Sequence, residues 1–246
     1  MKKLILLIIL FFALPKLCYS FDFEANKWTD FEGTLGKINI QLSLYRFENG
    51  KLKGNYCYRK YESKIELTGQ IIGDKIILTE LMNGKPSGNF EGKFFTDNFD
   101  RFDGTWSDDS KTSEFKLKLS SICGNDYKHR YSDFYGTDKD VEAFMKNVKN
   151  SILNNDKNWI GNHIKYPIKT TTKNLKIVII KNKKQLIENF EQIFHQDFKD
   201  KVKSTCICNM FNNSQGVMLG NGEIWIYNAP NSNENKFDFN ITSINN

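Results

Sequence analysis

The stretches Gly88–Phe95, "GNFEGKFF", and Arg101–Ser107, "RFDGTWS", decide the fold of the first half of the chain. Apolar and polar residues alternate in both, which is the period of a β-strand with one buried face. Both also place a glycine two residues before an aromatic side chain, as Gly54-Asn55-Tyr56 does earlier in the chain. Glycine inside a strand marks a bend or a close approach of backbone. An aromatic two positions later lies on the same face and can cover that backbone. The pattern predicts strands of a barrel.

Most of residues 31–119 alternates in the same way, and the links between the apolar runs are short. Turn formers such as Gly73-Asp74 and Asn83-Gly84 stand in these links, so successive strands should pair as antiparallel hairpins. A meander of seven or eight strands must either close on itself or expose its edges. We therefore predict an all-β antiparallel meander barrel over residues 21–123. Its other predicted strands are "GKINIQLSLYRF", "LKGNYCYRKY", "KIELTGQII", "DKIILTEL" and "SEFKLKLS".

The tripeptide Gly104-Thr105-Trp106 is similar to the glycine-x-tryptophan motif of avidin-like and lipocalin-like barrels. This resemblance implies a small meander barrel and, on a functional interpretation, aromatic side chains that line a lumen holding an apolar ligand. The alternative is a lumen that the protein fills with its own side chains, as small barrels often do. The sequence leaves both interpretations open.

The hydrophobic period changes after a polar and aromatic linker, residues 124–137. Thr137 is suited to cap a helix, with Asp138 and Asp140 in the first turn. Apolar residues then recur at helical spacing. We predict an α+β domain over residues 138–246. Its expected elements are a first helix from residue 138, a second helix Asp156–His163, a strand pair Ile168–Thr172 and Lys176–Lys181, one long helix over 183–204, and the strands "MFNNSQGVMLG", "GEIWIYN" and "KFDFNITSI".

The order of these elements and two motifs resemble the nuclear transport factor 2 superfamily, in its small secreted bacterial form. The first motif is Trp159, His163, Ile164, Tyr166 and Pro167, and the second is "QGVMLGNGEIWI", Gln215–Ile226. The resemblance implies a cone in which helices lie on a curved antiparallel sheet and enclose a cavity. It implies no set of catalytic residues, because that superfamily hosts enzymes, transport factors and dimerisation modules alike.

The glycines of the second motif raise the question of a phosphate-binding loop. Such a loop needs a helix directly after its glycines, but Gly220-Asn221-Gly222 precedes the alternating run Glu223–Tyr227. Asn-Gly between two apolar strands is a strong signal for a hairpin. We therefore predict a hairpin turn and no nucleotide or other cofactor.

Five residues are the candidate pocket of the expected cone: Trp159, His163, Tyr166, Glu223 and Trp225. Alternation puts Glu223 and Trp225 on one face of their strand. A buried Glu223 would hold its proton more tightly and serve as a general acid or base. The alternative is a solvated carboxylate beside aromatic residues that belong to the core. Because no nucleophile stands near His163, we assign no catalytic residue.

Four cysteines follow residue 20, namely Cys57, Cys123, Cys206 and Cys208, and four cysteines allow three pairings. We favour a bridge between Cys57 and Cys123. Cys206-x-Cys208 with His195 or His163 is an alternative metal site, but such sites more often have two intervening residues. We therefore predict no metal and expect buried or disulfide-bonded thiols.

The first 20 residues, "MKKLILLIILFFALPKLCYS", have the layout of a cleavable signal peptide. Two lysines precede an uncharged run of 11 residues, Leu4–Leu14, which is too short to span a bilayer. Lipidation at Cys18 is disfavoured because Pro15-Lys16-Leu17 stands before it. The sequence predicts a secreted or periplasmic protein without a stable membrane span.

The bulk composition bounds the class of protein. The chain has 246 residues, 39% of them hydrophobic, which is enough for one large or two small domains with a packed core. Removing a leader with three lysines and no acid lowers the formal net charge from +6 to +3. Neither half carries a dense basic stripe, so we expect no nucleic-acid partner.

These features together predict a secreted or periplasmic, two-domain, non-catalytic binding protein. Its partner would be a small apolar molecule, a cell-wall fragment or another protein. One alternative is a hydrolase or isomerase that uses Glu223 or His163 for proton transfer in the cone. The other is an interaction module that forms a homodimer.

Overall fold

The computed structural model describes residues 24–95, 100–231 and 236–246, with side chains described outside 230–236. The predicted signal peptide and Cys18 lie outside these residues. The described part of the chain has an all-β first half and a second half of helices and strands, so the predicted α+β class is confirmed. No helix within the described ranges is both long enough and apolar enough to cross a membrane.

The first half is a closed barrel in which each strand pairs antiparallel with the next and β8 returns to β1. This confirms the predicted meander barrel. The first strand was missed by the sequence analysis. Its residues Trp28 to Phe31 are all buried, so it lacks the alternation that identifies a strand with one solvated face. The strands are β1 (Trp28–Leu35), β2 (Ile38–Arg46), β3 (Lys51–Tyr58), β4 (Lys64–Ile72), β5 (Lys75–Met82), β6 (Lys85–Phe95), β7 (Arg101–Ser107) and β8 (Thr112–Cys123).

The barrel lumen is filled by the protein's own side chains. Aromatic rings run through it in successive edge contacts, with 4.7 Å between the ring centroids of Phe102 and Phe115 and 5.4 Å between those of Phe90 and Phe115. The ring of Tyr56 extends this row of aromatic contacts, with its centroid 5.3 Å from that of Phe90. Aliphatic residues of β2 to β5 complete a core with almost no solvent exposure. Of the two interpretations of the lumen, the structure shows the filled one.

Glu80 is the one carboxylate among the buried side chains of β5, on the same face as Ile76 and Leu78. It accepts hydrogen bonds from the Tyr56 hydroxyl at 2.6 Å and from the Trp106 indole at 3.0 Å. The Ser87 hydroxyl donates a third bond at 2.8 Å. A buried carboxylate is tolerated when donors satisfy its oxygens, and these three donors do so.

The glycines of the barrel make room for aromatic rings from neighbouring strands. A side chain at Gly88 would meet the indole of Trp106, and one at Gly92 would meet the rings of Phe115 and Phe102. The expected cover, an aromatic two positions later in the same strand, is therefore wrong at these two sites. Neighbouring strands lie closer together than positions i and i+2 of one strand, so cross-strand rings reach the glycine first.

The second half places four helices beside two antiparallel sheets. The Thr137 hydroxyl and the Asp140 carboxylate cap the first helix reciprocally, as the sequence predicted. The six strands fall into a two-stranded and a four-stranded sheet, where the sequence analysis expected one curved sheet. The elements are α1 (Asp138–Leu153), α2 (Lys157–Asn162), β9 (Ile168–Thr171), β10 (Ile177–Ile180), α3 (Lys183–Ile193), α4 (Gln196–Ser204), β11 (Asn212–Asn213), β12 (Gly216–Leu219), β13 (Ile224–Asn231) and β14 (Lys236–Ile244).

The long helix expected over 183–204 is two helices, which meet at Phe194 and His195. In one straight helix, side chains four residues apart drift by about 40° around the axis. An apolar row from Leu186 to Val202 would therefore turn away from the core by about 160°. Breaking the helix returns the row to the core, and Leu186, Phe190 and Val202 are all fully buried.

The outer wall of the barrel is covered where it faces the second half. Strand β2 is buried on both sides, with Leu42 inside the barrel and Gln41 and Ser43 on the outer wall. The segment after β8 packs against this wall: the Trp28 indole donates to the Asp126 carbonyl at 3.0 Å, and the Tyr45 hydroxyl donates to the Asn125 carbonyl at 3.1 Å. The predicted linker is therefore a packed part of the structure, while the predicted domain boundaries stay predictions.

Candidate binding cleft

A cleft of about 460 Å³ lies where the outer wall of the barrel meets the second half. The barrel contributes polar residues of β1, β2 and β8 together with Arg59, which follows β3. The second half contributes the end of α4, the following segment and the turn between β12 and β13. The residues that line the cleft and are used below are Glu32, Arg59, Lys201, Phe211, Met218 and Glu223.

The cleft carries both signs of charge on its two walls. Arg59 and Glu32 form a part-exposed ion pair on the barrel side. Lys201 and Glu223 line the opposite side. Phe211 and Met218 supply an apolar surface between these groups. Such a cleft can bind a small molecule that combines several polar groups with a small apolar surface.

A buried ion pair fixes the segment that forms one wall of the cleft. Arg130 is 2% exposed and Asp30 is 0% exposed, and the guanidinium Nη2 lies 2.6 Å from the Asp30 carboxylate. Arg130 also donates to the carbonyl oxygens of Asn209 and Met210 at 3.1 and 3.2 Å. Burial acts to lower the pKa of Arg130, but the adjacent Asp30 carboxylate contributes to a net raised pKa, so Arg130 stays charged.

Asn209 is held from the barrel side as well. The Gln41 side chain donates to the Asn209 carbonyl at 3.2 Å, and the Asn209 amide donates to Asn55 Oδ1 at 2.6 Å. Since Asn209 lines the cleft, these bonds hold that wall in place before any ligand arrives. A pre-formed wall lowers the ordering cost of binding.

Glu223 lies in the cleft but is engaged by its own turn. Its carboxylate accepts the backbone N–H of Asn221 at 2.7 Å and packs directly over Gly220, which has a φ of 64°. The predicted hairpin turn is present, since residues 220–223 connect β12 to β13. Glu223 therefore stabilises the turn that brings it to the cleft.

Trp225 lies on the same side of β13 as Glu223, pairs across the strands with Met218 and contacts Phe211 edge-on at 6.2 Å. Ile224 and Ile226 alternate with it and are fully buried in the core against the helices. The sheet face with Trp225 is therefore the one beside the cleft, and the opposite face carries the core.

The other three candidate residues lie in a separate place, around α2. His163 stacks on Trp159 with 3.9 Å between the ring centroids, and its Nδ1 lies 2.7 Å from the Trp159 carbonyl. The Tyr166 hydroxyl donates to the Gly161 carbonyl at 3.0 Å, and burial raises the pKa of Tyr166 to about 12. The single pocket predicted for the five residues is thus divided between this aromatic cluster and the cleft.

The aromatic cluster borders a second concavity of about 430 Å³, lined by His163, Phe144 and residues of β14. Because a carbonyl oxygen only accepts, the bond to Trp159 places the proton of neutral His163 on Nδ1 and leaves a lone pair on Nε2. Phe144 stacks on Phe239 at 5.0 Å and fills the space beside the imidazole. No serine, threonine or cysteine lines this concavity, whose lining residues all lie in the described part of the chain.

The cysteine positions correct two of our expectations. Cys57 lies beside Cys206, 3.4 Å between sulfurs, and Cys208 joins them. Cys123 lies elsewhere, where its sulfur accepts from Arg130 at 3.2 Å, so the favoured Cys57–Cys123 bridge is wrong. The alternative in which His195 or His163 joins Cys206-x-Cys208 does not fit either, because the third group beside these cysteines is Cys57. A contact between residues 149 positions apart cannot be found from local spacing.

Most of the cleft residues could not be predicted from the sequence. Arg59, Lys201 and Phe211 stand in stretches that carry no motif, and each lines the cleft only because the two halves pack together. Arg130, a lone arginine in an aromatic segment, was a signal only for the neighbouring junction, where it bonds to the carbonyl of Asn209.

Comparisons with known proteins add little to this picture. No model of a protein family matches the chain, and no curated protein matches it either. Among the solved structures that match in part are a rhizavidin–biotin complex, over 39% of this chain and 95% of that one, and another rhizavidin structure, over 40% and 86%. Each is 13% identical to this chain with a TM-score of 0.32. The comparisons give no support to the resemblance to the nuclear transport factor 2 superfamily.

Proposed function

We propose that the protein is a secreted or periplasmic, non-catalytic binding protein whose ligand occupies the cleft between the barrel wall and the second half. The observation that carries this proposal is the contrast between a lumen packed with aromatic rings and an open cleft of about 460 Å³ outside it. Clefts of this size accommodate small molecules.

The lining of the cleft favours a polar ligand over an apolar one. Two carboxylates, two cations and several hydroxyl and amide groups surround a small apolar surface. Hydroxyl-rich or amide-rich molecules can hydrogen-bond to such groups, whereas an apolar molecule would displace water from them and return no hydrogen bond, at a cost in free energy. Among the three ligand classes predicted from the sequence, a cell-wall fragment fits this lining best.

The geometry favours binding over the enzyme alternative. Glu223 serves its own turn, and His163 lies in the separate aromatic cluster. A group that moves a proton must be free to reach the substrate, but the Glu223 carboxylate is bonded to the Asn221 N–H and the His163 Nδ1 to the Trp159 carbonyl. The homodimer stays a prediction from the sequence.

The proposal is tested with mature protein isolated from the envelope of its own host and examined by native mass spectrometry. We expect a retained small polar molecule, released on unfolding. Binding is then measured by titration with soluble cell-wall glycan and peptide fragments.

A matched pair of variants identifies the site. Ser204→Trp fills the cleft from an exposed position at the end of α4, and Asn162→Trp does the same at the concavity beside His163. Binding should be lost in Ser204→Trp and kept in Asn162→Trp. Equal binding by both variants, or no bound molecule and no fragment affinity in the wild type, would overturn the proposal.

A further inference from the structure

Three thiols from distant parts of the chain converge on one point beside the cleft. Cys57 lies near the end of β3 on the outer wall of the barrel, and Cys206 and Cys208 lie in the segment after α4. Their three sulfurs lie within 4.8 Å of one another. Cys57 and Cys208 are buried, while Cys206 is half-buried and lines the cleft.

The spacing of the sulfurs is that of a metal-thiolate site. Sulfur ligands at about 2.3 Å from a tetrahedral Zn²⁺ lie about 3.8 Å from each other. The observed separations, 3.4 Å for Cys57 and Cys206 and no more than 4.8 Å within the trio, bracket this value. One ion at the centre of the three sulfurs therefore needs only small side-chain movements.

The environment already supports negative charge on sulfur. The Cys206 sulfur lies within hydrogen-bonding distance of the Cys57 sulfur, at 3.4 Å. The backbone N–H of Cys208 also donates to the Cys206 sulfur at 3.4 Å. A thiolate is the form that binds metal.

We propose that Cys57, Cys206 and Cys208 bind one thiophilic divalent cation of the zinc class, with the fourth coordination position open to the cleft at Cys206. Binding of the cation releases every proton that the three thiols still carry to solvent and leaves three metal–sulfur bonds. A site with three protein ligands and one open position can take a water molecule or a ligand atom in the fourth position. This proposal departs from our prediction, made from the sequence, that the protein has no metal site.

A disulfide between Cys57 and Cys206 is the competing use of the same residues. It would join two sulfurs that lie 3.4 Å apart and would leave Cys208 as an unused buried thiol. The metal site uses all three sulfurs, and for that reason we favour it.

The test uses the reduced full-length mature chain under anaerobic conditions, with Zn²⁺ alone as the probe and a chromophoric chelator as competitor. We expect one equivalent of Zn²⁺ to bind. Substitution by Cd²⁺ should give the ultraviolet absorption of thiolate-to-metal charge transfer, which reports sulfur ligation independently of affinity.

Single substitutions assign the ligands. Cys206→Ser should weaken Zn²⁺ binding by at least about 100-fold, because loss of a ligand exceeds the 10–100-fold cost of losing an outer partner. Cys208→Ser should do the same. Cys123→Ser is the matched control, since this fourth cysteine lies with Arg130, and it should bind Zn²⁺ like the wild type. Thermal unfolding of each apo variant shows whether lost binding is only lost folding.

Two results would overturn the proposal. The first is Zn²⁺ affinity that is the same in the wild type and in a folded Cys206→Ser variant, which would place the ion elsewhere. The second is a Cys57–Cys206 disulfide in peptides of protein isolated without reductant, which would assign the trio to a cross-link. Zinc co-purified with the wild type and absent from Cys206→Ser would support it.

Discussion

The side chain of Arg130 contacts groups from several distant segments of the chain. Its guanidinium pairs with the buried Asp30, donates to the Ser43 hydroxyl at 2.9 Å and holds two carbonyl groups of the segment after α4. Its guanidinium carbon also lies 5.5 Å from the ring centroid of Trp28. All of these partners lie at one junction between the barrel wall and the second half.

The substitution Arg130→Met should therefore destabilise the protein by about 3–5 kcal/mol, because it leaves the Asp30 carboxylate buried without its cation. Chemical denaturation with a linear extrapolation measures this change. Lys75→Met is the control, since it breaks the exposed pair with Glu91 in the same barrel and should change stability little. If the two variants lost equal stability, the buried pair would not have the role we give it.

Two buried tyrosines give the protein a dependence on alkaline pH. Burial raises the pKa of Tyr56, and the hydrogen bond to Glu80 adds to this effect. Burial also raises the pKa of Tyr131. The folded pKa of each exceeds the unfolded value of about 10, so each contributes stability that is present below pH about 10 and is lost as the pH rises above it.

We expect these two tyrosines to ionise only as the protein unfolds. Absorbance of tyrosinate, followed during a pH titration of native and denatured protein, measures this difference. Tyr56→Phe should remove one of the two late-titrating groups. Complete titration of all tyrosines in the folded protein would contradict the assignment.

At the scale of elements, the turn between β12 and β13 depends on Gly220, whose substitution should lower the stability of the protein. Gly220 has a φ of 64°, and a side chain there would meet the Glu223 carboxylate. Gly73, between β4 and β5, has a φ of 61° and nothing within 4 Å of the added carbon. The two positions share the backbone conformation and differ in the space around it.

Gly73→Ala should cost about 1 kcal/mol from backbone strain alone. Gly220→Ala should cost clearly more, and part of the excess should disappear in the double variant with Glu223→Ala. Denaturation midpoints of the four proteins measure these differences. Equal losses in the two glycine variants would show that the carboxylate gives way freely.

Much of the order of helices and strands could be predicted from the sequence. In an element with one solvated face, apolar residues repeat at the period of that element, and this repeat is visible in the sequence. Strands β3 to β8 alternate in this way, and β2 alternates as well because its buried outer face carries the polar Gln41 and Ser43. Helix α1 carries both its cap and its buried row at Val141, Met145 and Val148. Strand β1 could not be found in this way, since Trp28 to Phe31 are buried on both faces. The break between α3 and α4 contains neither proline nor glycine, so only the packing of Phe190 and Phe198 against the core accounts for it.

The candidate site was predictable only where one stretch of chain forms it. Glu223 and its turn were found from Gly220–Tyr227 alone. The cleft and the thiol trio were not, because Arg59 and Cys57 come from the barrel while Lys201 and Cys206 come from the second half. No local period or motif records a contact between such distant segments.

At the scale of the whole molecule, the two halves should unfold in one transition. Arg130, Gln41 and Asn209 tie them together through buried hydrogen bonds, so opening the junction exposes polar groups and loses packing at once. Two variants test this, one retaining only Trp106 in the barrel and the other only Trp159 in the second half. Their fluorescence transitions in denaturant should coincide, whereas separate midpoints would show that each half unfolds independently.

Strands β1 and β2 are buried on both faces, and this limits how the two halves of the chain can be separated or recombined in evolution. A barrel whose outer wall is solvated can fold in another protein. The outer wall of this barrel carries the buried carboxylate of Asp30, which is paired with the guanidinium of Arg130. Transfer of the barrel alone to another protein would leave the Asp30 carboxylate without its cation unless Arg130 were transferred with it. Gain or loss of the second half therefore requires compensating change at Asp30, and the two halves are expected to be inherited as one unit.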